Sequence, residues 1–277
     1  MFLFHRKKER QHINKKQTTT IAPIKRLLTY QVANLQGIGS RERQEDSFST
    51  ANAFDVTEIK EKGLLFVVCD GMGGMRDGKV ASETAIASIR SSFMQMDRNA
   101  DIAEQLEKSV YKASDEVEQA LEGEGGSTIV VGILYNEKLY YASVGDSYLY
   151  LKRGNQLYRL NKEHNVCNQL YLESVRSGTM NPKEGEESIE AVALTQFLGM
   201  KGMNDVDCTV RPFPVKSGDV FLACSDGVGG VLDETEILQS LSLNSPQAMC
   251  QQMEQGILAH AKTNQDNYTA LIVKCLY

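Results

Sequence analysis

The chain has 277 residues, 42% of them hydrophobic, which suits one large domain or two small ones and excludes a disordered protein. Its net charge of −6 hides an asymmetry, because within residues 1–26 Arg6, Lys7, Lys8, Arg10, Lys15, Lys16, Lys25 and Arg26 face Glu9 alone. The body that follows is therefore more acidic than the total, which argues against nucleic acid as the main partner and is compatible with divalent cations.

In chain order, residues 1–26 read as a basic, flexible tail, either a solvated leader or a weak dock for an anionic membrane surface or an acidic partner. The opening apolar residues turn basic too soon for a secretory signal. Short strands are expected at 29–35 and 47–53, around a turn at Gly37-Ile38-Gly39-Ser40. The apolar run at 64–69 is a buried strand that ends on the tight loop Gly71-Met72-Gly73-Gly74. Helical spacing follows at 80–96, through Val80, Ala81, Ala85, Ile86, Ile89 and Phe93. A second helix at 102–121 lines up Ile102, Leu106, Val110, Ala113, Val117 and Leu121. Four short strands at 128–135, 138–144, 148–153 and 156–160 predict a β-meander. The stretch 161–195 is polar and irregular, with a helix near 165–173. Strands at 207–212 and 220–224, helices at 234–241 and 246–262, and a closing strand at 269–276 complete the chain. Two long helices among many short strands, with no βαβ alternation, give an α+β class with antiparallel sheets in layers.

The six cysteines are scattered and form no C-x-x-C pair, and Cys69, Cys224 and Cys275 lie in apolar runs. Free buried thiols in a reducing cytoplasm are the plain reading. No apolar stretch approaches the roughly 20 residues of a membrane span.

The most informative pattern is where the strands stop. Three apolar runs end on an aspartate: 64–69 on Asp70-Gly71, 139–144 on Gly145-Asp146, and 220–225 on Asp226-Gly227. Asp266-Asn267 directly precedes the run at 268–273, and Glu45-Asp46 follows an arginine-rich turn. Carboxylates at strand ends are held rigidly and, where several converge, repel one another unless a cation intervenes. Hard oxygen ligands suit Mg²⁺ or Mn²⁺ better than zinc.

The motifs, in order, are Arg41-x-x-x-Glu45-Asp46-Ser47, then Val67-Val68-Cys69-Asp70-Gly71-Met72-Gly73-Gly74 with Gly78 and Ala81-Ser82. Gly126-Ser127-Thr128 and Ala142-Ser143-Val144-Gly145-Asp146-Ser147 come next, followed by Ala223-Cys224-Ser225-Asp226-Gly227-Val228 and Asp266-Asn267-Tyr268-Thr269. Each is weak alone, since Asp-Gly is common in turns. Together they resemble the metal-dependent Ser/Thr protein phosphatases of the protein phosphatase 2C type, in their bacterial form, over residues 31–277. The resemblance implies a β-sandwich with α-helices on both faces (α-β-β-α layers), a catalytic domain over 27–277, and hydrolysis of phosphoserine and phosphothreonine by metal-bound water.

The same resemblance assigns roles. Asp70 is the expected ligand bridging two cations, Mn²⁺ or Mg²⁺, with the Gly71 carbonyl beside it, and Glu45, Asp226 and Asp266 complete a shell partly through water. Asp146, with Asp226, matches residues that hold a third, weaker ion. Asp46 is read either as a direct ligand or as the brace of the turn under Glu45, and Asp146 is open to a purely structural reading as an Asx-turn. Two cations roughly 3.5–4 Å apart lower the pKa of a bridging water and supply hydroxide for in-line attack. Arg41 is placed to bind phosphate oxygens with its planar fork. The expected partners are phosphorylated proteins and a cognate Ser/Thr kinase, in the cytoplasm, with no nucleic acid.

Some positions depart from the pattern. Met72 stands where animal members carry a histidine proposed as general acid, Met75 and Lys79 replace a frequent histidine and acid, and Tyr148 replaces the arginine usual after Gly-Asp-Ser. His164 is read as an exposed loop residue, with a contact to the family's variable flap at 165–195 as the weaker alternative. The acidic stretch at 184–187 hints at substrate selection, with a solvated loop as the plainer reading. The competing reading is a catalytically weak phosphoprotein-binding regulatory module on the same fold. Retention of Arg41, Glu45, Asp70, Asp226 and Asp266 speaks against it. A third, a structural cation-binding protein, leaves Arg41 unexplained.

Overall fold

Strand β3 (Leu64–Cys69) is buried on both faces, and its alternation sorts the layers. Leu64, Phe66 and Val68 point into a core between two sheets, while Leu65, Val67 and Cys69 point into a core under two helices. The computed structural model describes residues 27–73, 77–179, 191–260 and 263–277. The basic segment 1–26, Gly74, Met75 and the acidic stretch 184–187 lie outside the described residues.

One sheet has the order β10 (Asp207–Cys208), β7 (Lys138–Val144), β6 (Ile129–Tyr135), β3 and β2 (Ser47–Ala51), with β11 (Phe213–Pro214) also pairing with β7. The second has the order β1 (Thr29–Gly37), β13 (Tyr268–Leu276), β12 (Val220–Cys224), β8 (Tyr148–Arg153) and β9 (Gln156–Arg159). All of these pairs are antiparallel. Phe66 and Phe221 stack across the sandwich with ring centroids 6.4 Å apart.

Helices α2 (Gly78–Gln95) and α3 (Ile102–Leu121) cover the first sheet. All six apolar positions expected to line α3 are buried, and Asp101 caps its N-terminus through the amides of Ala103 and Glu104. Along α2 the small residues Ala81, Ser82 and Ala85 face the sheet, whereas Val80 turns outward. After the one-turn α5 (Asp226–Gly229), helices α6 (Glu234–Leu241) and α7 (Pro246–His260) cover the second sheet through Ile237, Leu241, Met249, Met253 and Ile257. The order of layers is thus α-β-β-α, as expected from the sequence.

Three local expectations change. The four strands 129–159 are not one meander: β6 and β7 form a hairpin in the first sheet and β8 and β9 a hairpin in the second. The chain crosses between sheets at Gly145-Asp146-Ser147, where Gly145 has φ +99, a backbone that disfavours a side chain. The expected strand at 207–212 shortens to β10, and β11 begins only beyond it at Phe213, because Val210 is exposed and Pro212 cannot donate to the ladder. Helix α1 (Val56–Lys62) buries no residue, so it carries no apolar periodicity to detect; it forms on its Asp55 cap. Among the described residues, no helix is long and apolar enough to cross a membrane.

Candidate active site

Antiparallel register brings the acidic strand ends to one edge of the sandwich. Ser47 at the start of β2 pairs with Cys69 at the end of β3, and Ile129 at the start of β6 pairs with Val144 at the end of β7. In the other sheet Cys224, at the end of β12, pairs with both Ala270 near the start of β13 and Tyr148 at the start of β8. Glu45, Asp70, Asp146, Asp226 and Asp266 flank these ends, and all five line one cavity of about 690 Å³ together with Arg41 and Gly71. Asp46 does not line it. Its side chain is fully buried beneath, with Oδ2 accepting from Ser225 Oγ at 2.8 Å.

Each group is braced from behind. The Asp70 amide donates to Thr128 Oγ1 (3.1 Å), while its carbonyl accepts from the Thr128 amide (2.8 Å) and Ser127 Oγ (2.9 Å). The short pair β4 (Gly71–Met72) and β5 (Gly126–Ser127) continues this clamp. Gly71 has no alternative here, since a Cβ would come within 2.1 Å of the Gly78 carbonyl oxygen and 2.6 Å of that of Glu45. Asn267 Oδ1 accepts from the Glu45 amide at 2.7 Å, and its Nδ2 donates to the carbonyls of Ile38 and Arg43. Ser82 Oγ donates to the Glu45 carbonyl at 2.6 Å, and Lys79 Nζ donates to that of Asp46 at 2.7 Å. Arg41 reaches across the mouth to Asp266, Nη2 to Oδ2 2.5 Å, with both side chains well exposed.

The electrostatics are those of a site short of positive charge. Burial pushes the Asp70 carboxyl well above the usual range, and the charges of Asp46 and Asp226 push it further. Burial, then the Asp226 charge, takes Asp146 up to about 7. Burial takes Asp46 up to about 6, against the lowering pull of hydrogen bonds from Thr269 and Ser225. Asp226 is raised mainly by burial. Oδ1 of Asp46 and Oδ1 of Asp226 are buried with no hydrogen-bond partner. Orphaned carboxylate oxygens in an all-oxygen cluster fit Mg²⁺ or Mn²⁺. Among the described residues, no three acidic, histidine or cysteine side chains close on one point, so a shell here needs a backbone carbonyl such as that of Gly71, and water.

Sequence reasoning overlooked the braces. Asn267 and Ser225 sit beside acidic residues and read as ordinary turn polarity, although a buried polar residue at an apolar strand end is a usable signal. His164 corrects an expectation: it is 3% exposed, and its Nδ1 accepts from the Gly145 amide at 3.2 Å. Burial lowers its pKa, so a neutral imidazole holds the crossover that carries Asp146. At Tyr148, which stands in place of the motif's arginine, the Arg159 guanidinium lies 4.1 Å from the ring centre.

The protein phosphatase 2C family model matches residues 31–176, more than half of the chain. A serine/threonine phosphatase (stp) of Listeria welshimeri is 30% identical over 229 residues, covering 79% of this chain and 87% of its own length. Protein phosphatase PhpP of Streptococcus pneumoniae is 26% identical over 190 residues, 66% of this chain and 75% of its own. Among solved structures, the catalytic domain of the serine/threonine protein phosphatase PstP, in complex with two manganese ions, is similar with a TM-score of 0.72 at 22% identity. That likeness covers 91% of this chain and all of the other.

Proposed function

The chain belongs to the protein phosphatase 2C family and is a protein-serine/threonine phosphatase, and on that premise we propose how its residues divide the work. One observation carries the proposal: five carboxylates and one arginine share a cavity, and a buried carboxylate oxygen of Asp226 in it and one of Asp46 beneath it lack a partner. Asp70, Asp226, Glu45 and Asp266 would hold two divalent cations, with the Gly71 carbonyl and water. Asp146 with Asp226 would hold a third, weaker ion. When bound, the cations lower the pKa of water so that it attacks phosphorus at neutral pH. Asp46 acts from below, bracing Ser225 and adding charge to the cluster rather than facing the cavity.

Arg41 binds the phosphate oxygens. Its hydrogen bond to Asp266 raises its pKa, so it stays charged, and this exposed pair is weak enough to exchange for phosphate. Arg41→Ala therefore raises the KM for p-nitrophenyl phosphate about tenfold or more. Mn²⁺ affinity, read by calorimetry, changes little. Unchanged steady-state kinetics would remove Arg41 from the site. The parent reading is tested by a phosphate-release assay with and without Mn²⁺, which also separates an enzyme from a binding module.

We assign catalysis to residues 27–277, phosphorylated proteins as substrates, and a Ser/Thr kinase as the opposing enzyme, in the cytoplasm. Six free cysteines, four of them buried, support a reducing compartment. Residues 1–26 supply a basic contact for anionic membranes rather than catalysis. Their deletion leaves turnover of p-nitrophenyl phosphate unchanged and weakens sedimentation with phosphatidylserine vesicles at low salt. Equal sedimentation of both forms would refute the membrane contact, and unfolding of the truncation would refute the domain boundary.

A further inference from the structure

The cavity that holds the carboxylates is amphipathic. Besides Arg41 and the acidic groups, its wall includes Met72, Val192, Leu194 and Phe197. A phosphate group needs none of that apolar surface, and about 690 Å³ is more space than a phosphate alone fills. Resting on the phosphatase reading, we propose that the wall formed by residues 191–198 is a subsite for an apolar side chain next to the phosphorylated residue of the substrate protein.

The wall is built into the fold. Along one side, the amides of Val166 and Cys167, in the first turn of α4 (Val166–Ser177), donate to the carbonyls of Ala193 and Ala191, each at 3.0 Å. The Thr195 amide donates to the His164 carbonyl at 2.8 Å. At the far end, Leu198 and Ser127 exchange amide-to-carbonyl hydrogen bonds of 2.8 and 3.1 Å, and the Leu198 side chain is fully buried. The segment is thus fixed between α4 and the strand that braces Asp70. The Phe197 ring lies so close to Gly126 that a Cβ there would come within 2.4 Å of it.

Val192, in a turn, and Leu194, in an isolated bridge to Asn165, line the same cavity. Val192 is nevertheless 82% exposed. A single exposed valine is ordinary. One that continues a half-buried Leu194 and Phe197 inside a polar cavity is apolar surface left for a ligand. The occupant follows from continuity: whatever places its phosphate at Arg41 lays its neighbouring residue along this wall. A polar side chain there would lose water and gain no partner, while an aliphatic or aromatic one would bury apolar area.

The test uses the full-length protein with Mn²⁺ and matched phosphothreonine peptides carrying leucine or its polar isostere asparagine on either side of the phosphothreonine. On one side, leucine should exceed asparagine in kcat/KM by about tenfold, mostly through KM. Val192→Asn should narrow that ratio severalfold, and Val192→Ile should retain it. Because the readout is a ratio within each variant, a general loss of activity does not mimic it. Equal turnover of all the peptides, or a ratio indifferent to Val192→Asn, overturns the subsite while leaving the phosphatase reading intact. Failure to hydrolyse the peptides and p-nitrophenyl phosphate alike overturns both.

Discussion

Removal of divalent cations abolishes turnover of p-nitrophenyl phosphate, and added Mn²⁺ restores it. The effect is all-or-none because the clustered carboxylates repel an incoming phosphate unless cations offset their charge, and the lining hydroxyl, Thr128 Oγ1, is already engaged by the Asp70 amide and Ser147. Among the described residues, its lining contains no cysteine, histidine or serine, and its titratable groups are carboxylates and Arg41. Full activity after exhaustive dialysis against EDTA would exclude the metal reading. The same experiment has a stability arm with a definite sign. Asp70, Asp146, Asp46 and Asp226 all have carboxyl pKa values raised by the fold, Asp46 to about 6 and Asp146 to about 7. Between the unfolded value near 4 and these folded values, the native state binds more protons than the unfolded chain. Stability contributed by this cluster is therefore fully present below pH 4 and is lost as pH rises to about 7. Without metal, the melting temperature should fall between pH 5 and pH 8 by more than it does with saturating Mn²⁺, because a cation replaces the missing protons. Identical pH profiles with and without Mn²⁺ would mean that the cluster does not bind the ion.

Much of this site could be read before the fold was known, for a geometric reason. In antiparallel pairs, alternate strands end where their neighbours begin. Aspartates after β3, β7 and β12 and acids before β2 and β13 therefore meet at one edge. Buried strands also announce themselves by continuous apolar runs, and the bounds of β3, β7, β8 and β12 follow the residues closely. What stayed hidden depends on long-range choices. Turn residues near Gly145 signal a reversal but not a change of sheet, so β7 and β8 read as neighbours when a sandwich separates them. Lys79 looked like a bare departure from a motif, yet its ammonium holds the Asp46 carbonyl and Ser47 Oγ. The apolar wall at Val192, Leu194 and Phe197 has no local signature, since only the clamp between α4 and β5 turns those three side chains toward the carboxylates.

Asp70→Asn and Asp226→Asn should each lower turnover at moderate Mn²⁺ at least about a hundredfold, since even outer partners of a metal ligand are worth 10–100-fold. Both substitutions keep shape and remove one charge. Their cost is therefore electrostatic, a loss of attraction for the cations, and not a cavity in the core. The structure adds a second, opposite expectation. Asp70 is half-buried, its ionised form is opposed by desolvation and by Asp46 and Asp226, and its backbone rather than its carboxylate is what Thr128 and Ser127 hold. A neutral amide at Asp70 relieves that repulsion and leaves the braces in place. In metal-free buffer at pH 8, Asp70→Asn should therefore melt at a higher temperature than the unsubstituted protein, while binding Mn²⁺ more weakly and turning over far less substrate. Asp226→Asn should show a smaller gain, because hydrogen bonding with Asp70, then the Gly227 backbone and the Arg41 charge, already favour the ionised Asp226 carboxylate. A structural role for Asp70 predicts the reverse, lower stability together with lower activity. Near-normal turnover in a folded Asp70→Asn protein would remove the residue from the metal site altogether.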